Sequence, residues 1–455
     1  MKYNPRCIEV LREGLAQGAF PSAAVAVGEG SKVYFCEVMG HRQDKPKAQK
    51  AHKTTLYDLA SLTKLVAPTM IALRMVEEGR LLLSDTLDRF FTEEELKNAP
   101  AGRAGVTIFQ LMTHTSGITP HLPLWLTKAD GISVAAADQT GASDEAATEK
   151  TADSKDEAVV EEATEVSADE KNFEEPAIEE IVEESAIEET VEAPVVEEIV
   201  EESVVEARTE EKTAPAVTAS DVISPEQAVS VILASAPVCE PGTEVHYSCM
   251  GYILLGKILE RIGGKPLDVL AKTMVFQPLG MKHTCYRPKS RDVAVTEYSN
   301  LREQYICGVV HDENAHFLGG VSANAGLFAP IGDMIQFAMM LAERGKISGG
   351  RFLSPATFDL AVKNFTPGMS EARGLGFQLQ PSMPALTSMG DLMSEGSYGH
   401  TGFTGTSLFV DAKTGRWAIL LTNAVHYGRD KTAFLRYRRR FHNAVMSDVF
   451  GKEKK

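Results

Sequence analysis

The stretch Tyr57-Asp58-Leu59-Ala60-Ser61-Leu62-Thr63-Lys64-Leu65-Val66 decides how this chain is read. Ser61 and Lys64 stand three residues apart at the start of an apolar run that continues with helical spacing through Met70, Leu73 and Val76. Positions i and i+3 share a helix face, so the serine hydroxyl and the lysine amine can meet there. A helix N-terminus adds unpaired backbone N–H groups and a positive dipole end, which favour a nucleophile and a developing oxyanion. Serine-x-x-lysine alone is a weak signal: chance supplies about one or two in a chain of this length. The plain alternative is an N-cap serine beside a solvated lysine. The apolar continuation argues instead for a buried core helix. Pro68 predicts a kink in it, and Gly79 predicts its end.

The chain has 455 residues and a formal charge of −17, unevenly spread. Residues 138–212 hold 28 of the 63 acidic residues and 5 of the 46 basic ones, so the remainder carries 35 acidic against 41 basic. From 136 to 220 Glu, Ala, Val, Thr and Ser dominate, Phe173 is the single aromatic, and Glu179–Ser185 recurs as Glu197–Ser203. This composition predicts a disordered acidic insert within one domain made of residues 1–135 and 221–455. Such an insert is tolerated because loop-closure entropy grows only logarithmically with length. A solvating expansion is the plain reading of it; a docking segment for a protein partner is the other. No basic stripe interleaved with aromatics supports nucleic-acid binding. No run reaches the length of a membrane span, and no export signal is visible. The six cysteines form no C-x-x-C pair and show no metal-ligand spacing, so reduced thiols and a cytoplasmic location are expected.

Along the chain, residues 5–17 predict a helix with Ile8, Leu11 and Leu15 on one face. Ala23–Val27 and Val33–Cys36 flank Gly28–Ser31 and predict a hairpin. Thr107–Met112 predicts a helix ending at Thr113-His114-Thr115-Ser116-Gly117, where His114 is expected to hold loop backbone rather than to catalyse. After the insert, Ser224-Pro225 starts a helix. Pro241-Gly242-Thr243 then turns into a loop with Tyr247 and Ser248 that enters an apolar helix over 251–262. Residues 284–300 read as extended. Residues 308–316, with His311, Asp312, Glu313, Asn314 and His316, read as a loop lining the substrate cleft; the consecutive spacing does not suit a metal. Ile331–Glu343 predicts an amphipathic helix. His400-Thr401-Gly402-Phe403 leads into a strand over 406–410, the turn 411–415 into another over 417–422, and 430–449 into a basic amphipathic helix whose apolar residues are expected to pack on a sheet.

Taken together, Ser61-x-x-Lys64, the Thr113–Gly117 loop, Tyr247-Ser248 and His400-Thr401-Gly402 resemble the serine hydrolases related to class C β-lactamases, DD-peptidases and D-aminopeptidases. Gly308–Ala315 and Gly319–Phe328 are most similar to a subgroup that includes cytoplasmic N-acetylmuramoyl-L-alanine amidases. The resemblance implies an α+β sandwich of the β-lactamase/transpeptidase type, an antiparallel sheet flanked by helices with a mainly helical region beside it. It implies Ser61 as the acylated nucleophile, Lys64 and Tyr247 sharing the proton work with the base left open between them, and backbone N–H groups of Ser61 and Phe403 as the oxyanion hole. Cys249, His400, Thr401 and Gly402 would contact substrate, with the strand from His400 forming one wall; no cofactor or metal is implied. Two literal matches fail on context: Tyr298-Ser299-Asn300 lacks the preceding turn, and Lys413-Thr414-Gly415 falls between two strands. Cys249 and His400 replace the Asn and Lys common in β-lactamases, which weakens recognition of amide and carboxylate. A small amide or ester is therefore the expected substrate, a muropeptide amide first, with carboxylesterase or β-lactamase action on the same residues as alternatives. An inactive scaffold using the acidic insert is the reading from another class.

Overall fold

The run Ala23–Val27 is buried from end to end because it is covered on both faces. Alternate side chains of a strand point to opposite faces. Ala23, Val25 and Val27 accordingly meet Ile8, Leu11, Phe434 and Phe441 of the chain's first and last helices, Arg6–Ala16 and Thr432–Ser447. Ala24 and Ala26 enter the larger core with Leu62, Leu65 and Met70. In this computed structural model residues 5–128, 222–300, 302–382 and 387–450 are described, and the insert expected over 136–220 lies outside them.

The strand Ser22–Glu29 is central in a seven-stranded antiparallel sheet. Its order is Gln378–Leu379, Tyr398–Thr401, Ser407–Val410, Arg416–Thr422, Ser22–Glu29, Lys32–Gln43 and Gln49–Lys50. The hairpin expected near residue 30 is present, with its register shifted by a bulge between Val27 and Gly28. Chain ends are tied across the fold: the Asp448 carboxylate accepts the N–H groups of Arg6 and Cys7, each at 3.1 Å, and so caps the first helix from the end of the last. The C-terminal helix packs against the sheet through Phe434, Phe441 and Val445 with Leu435 partly buried, as expected, whereas Val449, also expected in the core, lies past the helix end and is 74% exposed. Lys128 and Val222 form an antiparallel bridge, so the stretches before and after the undescribed residues belong to one body.

The helix after Ser61 departs from a uniform α-helix. It runs as Leu62–Lys64, opens into a π turn over Leu65–Thr69, and resumes as Met70–Glu77. The kink expected at Pro68 takes this form because the wider turn accommodates a residue with no N–H to donate. Gly79 ends the helix with φ 68°, as its sequence position suggests.

Four stretches differ from the sequence reading. The apolar helix after Tyr247 starts at Cys249, not Gly251, because the Ser248 hydroxyl accepts the Gly251 N–H at 2.9 Å and acts as N-cap. Residues 313–317 are a helical turn rather than loop, capped by Asp312, whose Oδ1 accepts the Ala315 N–H at 2.7 Å. His400 does not start a strand: it is the third residue of Tyr398–Thr401, which pairs antiparallel with Ser407–Val410 through a turn at 402–405. Over 284–300 regular extension is limited to Cys285–Tyr286 and Tyr298–Ser299.

Removing the cap supplied by Asp448 tests the tie between the chain ends. Asp448→Ala is expected to lower the free energy of unfolding by about 1 kcal/mol, the usual worth of a helix N-cap, read from urea denaturation.

Candidate active site

Ser61 sits at the N-cap of its helix with φ −64° and ψ −17°, one residue after Ala60, which is held at φ 46°. A non-glycine residue there is strained. Asp58 holds it: its Oδ1 accepts the Ala60 N–H at 2.8 Å and its Oδ2 the His311 N–H at 2.7 Å. Burial pushes the Asp58 carboxyl above its ordinary range, the two N–H donors pulling the other way.

One helical turn on, Lys64 is fully buried, and its Nζ donates to Ser61 Oγ at 3.1 Å, the Asn324 carbonyl at 2.9 Å and Cys249 Sγ at 3.4 Å. Burial alone drives the ammonium down. The negative charge that Cys249 and Tyr247 carry when ionised, with Asp312 further off, outweighs burial, and the net direction is up. Burial likewise raises the Cys249 thiol.

Tyr247 comes from the loop before the apolar helix. Its hydroxyl is buried without a well-aligned hydrogen bond, and Lys64 Nζ lies 4.8 Å from the ring centroid. Burial pushes the phenol up to about 12, although Lys64 and Ser61 pull it down. His114 fixes this loop: its Nδ1 accepts the Ser248 N–H at 3.0 Å, and its ring lies 4.5 Å from that of Tyr247. Burial, with the positive charges of Arg373 and Lys64, holds His114 well below its usual pKa. It is a neutral acceptor at neutral pH, in the structural role its sequence setting suggests. The Arg373 guanidinium lies 5.3 Å from the Tyr247 ring centroid and pairs with Glu371.

The turn after Thr401 is locked to the nucleophile segment. Thr404 Oγ1 donates to the Asp58 carbonyl at 2.7 Å and Thr406 Oγ1 to the Leu59 carbonyl at 3.0 Å. A Cβ on Gly402 would come within 2.2 Å of the Leu59 carbonyl oxygen, so only glycine fits. The N–H groups of Ser61 and Phe403 have no protein acceptor among the described residues. His400 and Thr401 are both 3 % exposed, and His400 Nδ1–H donates to the Thr401 carbonyl at 2.6 Å.

The remaining wall is 308–324. The His311 ring stacks 5.7 Å from the Phe403 ring, and its Nε2 is 3.1 Å from Glu297 Oε1, a close contact rather than an aligned hydrogen bond. Burial opposes the ionised Glu297 carboxylate, but His311 and Arg429 together hold it down at about 2. Asp312 reaches Lys64 indirectly, accepting from Asn324 Nδ2 at 3.0 Å. Asn314 is spent on backbone, bonding Leu124 N–H and the Leu122 carbonyl, and braces the 122–124 segment. The sequence reading did not single out Asp58, Asn324, Arg373 or Lys431. Asp58 alone left a signal, an acid between apolar residues beside Ser61. The excluded motifs fall elsewhere: Tyr298 is half exposed in a small hairpin, and Lys413–Gly415 turns between strands. No group of three or more His, Cys, Asp or Glu among the described residues is arranged to hold a metal ion.

A hydroxyl against a buried amine, a phenol beside both, and two free N–H groups can support attack of Ser61 on a carbonyl carbon. The antiparallel sheet with flanking helices and this cluster define a β-lactamase/transpeptidase-like protein. The beta-lactamase family matches residues 8–151 and 205–440, and the chain belongs to that family. An N-acetylmuramyl-L-alanine amidase of Bacillus subtilis (strain 168) is 35% identical over 205 residues, 41% of this chain and 46% of that protein. An Escherichia coli (strain K12) protein named "Putative D-alanyl-D-alanine carboxypeptidase" is 32% identical over 206 residues, again 41% and 46%. The chain thus spans about half the length of the curated relatives it matches. In fold it is similar to EstCE1, a hydrolase with promiscuous acyltransferase activity, at TM-score 0.62 and 19% identity over 97% of each chain. No helix among the described residues is long and apolar enough to cross a membrane.

Gly402→Ala is expected to cut activity on an acyl ester at least about tenfold, a small misplacement in a site being worth up to about 10². The contact it disturbs is with Leu59, two residues from Ser61. Steady-state kinetics beside a thermal midpoint check this, with the rate falling further than stability explains.

Proposed function

We propose that this chain is a serine hydrolase that forms an acyl-enzyme at Ser61 on an amide or ester substrate, a muropeptide amide first among them. The observation that carries the reading is the Lys64 Nζ contact with Ser61 Oγ at 3.1 Å, made by a lysine with no exposed surface. A solvated surface lysine, the plain alternative, would not be buried. Ser61 Oγ attacks the carbonyl carbon while its proton passes to the Lys64–Tyr247 pair in the form that has lost one proton, ammonium with phenolate or amine with phenol, the pair acting as one acid–base unit. The N–H groups of Ser61 and Phe403 receive the oxyanion. The tetrahedral intermediate collapses by breaking the C–N or C–O bond, and the leaving group takes the proton from the pair. Water, deprotonated by the same pair, then attacks the Ser61 ester; the acyl C–O bond to Ser61 breaks, Ser61 Oγ takes the proton back from the pair, and the acid is freed.

The muropeptide amide is supported by the amidase named among the relatives. An ester is the second reading, supported by Cys249 and His400: a weak thiol donor and a buried imidazole offer little to an amide or a carboxylate. The six free cysteines support a reducing, cytoplasmic setting.

Intact mass after treatment with a fluorophosphonate is expected to show one adduct on the wild type and none on Ser61→Ala; a folded wild type without an adduct refutes the reading. Tyr247→Phe is expected to lower kcat at least about tenfold, general acid–base groups contributing about 10²–10⁴. Tyr298→Phe should leave kcat unchanged. Muramoyl-L-alanine, short acyl esters and a cephalosporin, assayed side by side, separate amidase, esterase and β-lactamase action.

A further inference from the structure

Phe403 is held far more tightly than a turn residue needs to be. It lies in the turn that opens with Gly402 and closes with Gly405 at φ 108°, where the Gly405 N–H donates to the Gly402 carbonyl at 2.9 Å and so holds, from one side, the peptide that carries the Phe403 N–H. Lys431, the residue that opens the C-terminal helix, is 5 % exposed, and its Nζ donates to the Phe403 carbonyl at 2.7 Å. The same nitrogen lies 3.4 Å from the centroid of the Phe403 ring. One ammonium thus grips a single residue by its backbone and by its side chain, the second through the attraction of a cation to a ring face. The ring also carries the stacked imidazole of His311, whose neighbour Glu297 is gripped in turn by Arg429. Neighbouring residues are fixed independently, Gly402 N–H to the Thr406 carbonyl at 2.7 Å and Thr404 to Asp58.

We propose that Lys431 is a positioning residue that aims the Phe403 N–H at the carbonyl oxygen bound over Ser61. The inference rests on the acyl-enzyme reading above. Donors of an oxyanion hole act because they are oriented before charge develops, and a donor that must first be turned into place loses that advantage. The Ser61 N–H is oriented by its helix. The Phe403 N–H belongs to a peptide held on one side by the Gly405 N–H at the Gly402 carbonyl, and Lys431 fixes its other side by gripping the Phe403 carbonyl and ring.

The test compares wild type, Lys431→Met and Lys431→Arg by the rate of fluorophosphonate labelling of Ser61, by kcat and KM on a short acyl ester, and by thermal midpoint. Outright loss of an oxyanion-hole donor costs about 10²–10³ in kcat. Lys431→Met is expected to label at least about tenfold more slowly and to lose kcat by a similar factor, with KM within about twofold of wild type. Lys431→Arg, which keeps the charge and the donor, is expected to recover most of both rates. A purely structural lysine would move thermal midpoint and KM together and leave the labelling rate of the folded fraction unchanged; that result overturns the proposal. So does a Lys431→Met enzyme that labels as fast as a labelled wild type. A wild type inert to the probe instead overturns the acyl-enzyme reading beneath it. Where Lys431→Met does not fold, Lys431→Gln replaces it, and labelling by that folded variant at the wild-type rate overturns the proposal equally.

Discussion

The buried amine of Lys64 is the constraint on which the rest of the structure depends. An ammonium taken out of water costs several kcal/mol unless its donors are satisfied. Here a hydroxyl, a thiol and a main-chain carbonyl satisfy them, from Ser61, Cys249 and Asn324. Ser61 lies 188 residues before Cys249 and 263 before Asn324 in the chain. The apolar helix from Cys249, the segment before Leu327 and the helix from Ser61 therefore converge on one nitrogen, and the large apolar core packs around them.

Asp58 plays the complementary part. Its two carboxylate oxygens and its carbonyl accept from Ala60, His311 and Thr404, so one buried residue joins the strained turn before the nucleophile to two walls of the site. The strain at Ala60 persists because it is held from several directions at once. The sheet supplies the rigid backing. Its outer face is closed by the two terminal helices, which leaves the inner face and the turn at 402–405 to meet Ser61.

Periodicity, caps and glycine stops made much of this legible. The helices from Arg6 and Ile331, the hairpin near residue 30, the Gly79 stop and the two misleading motifs were readable because each depends on residues adjacent in sequence. Boundaries went astray where a polar side chain competed with the hydrophobic pattern. Ser248 pulled a helix start two residues earlier, and Asp312 built a helical turn in what looked like loop. Pro68 was a clear warning, but whether the helix would bend or widen depended on the neighbours packed around it.

The sequence by itself determined that a serine and a lysine would share a helix face, that a tyrosine would enter from a loop before an apolar helix, and that a His-Thr-Gly segment would join a strand. Only the tertiary structure decided that Asn324 would give its carbonyl to Lys64, that Asp58 would hold Ala60 and His311, and that Lys431 would grip Phe403. The physical reason is separation along the chain. Helix faces, caps and turns are set by contacts a few residues apart, whereas these hydrogen bonds join residues whose meeting depends on how the whole core packs.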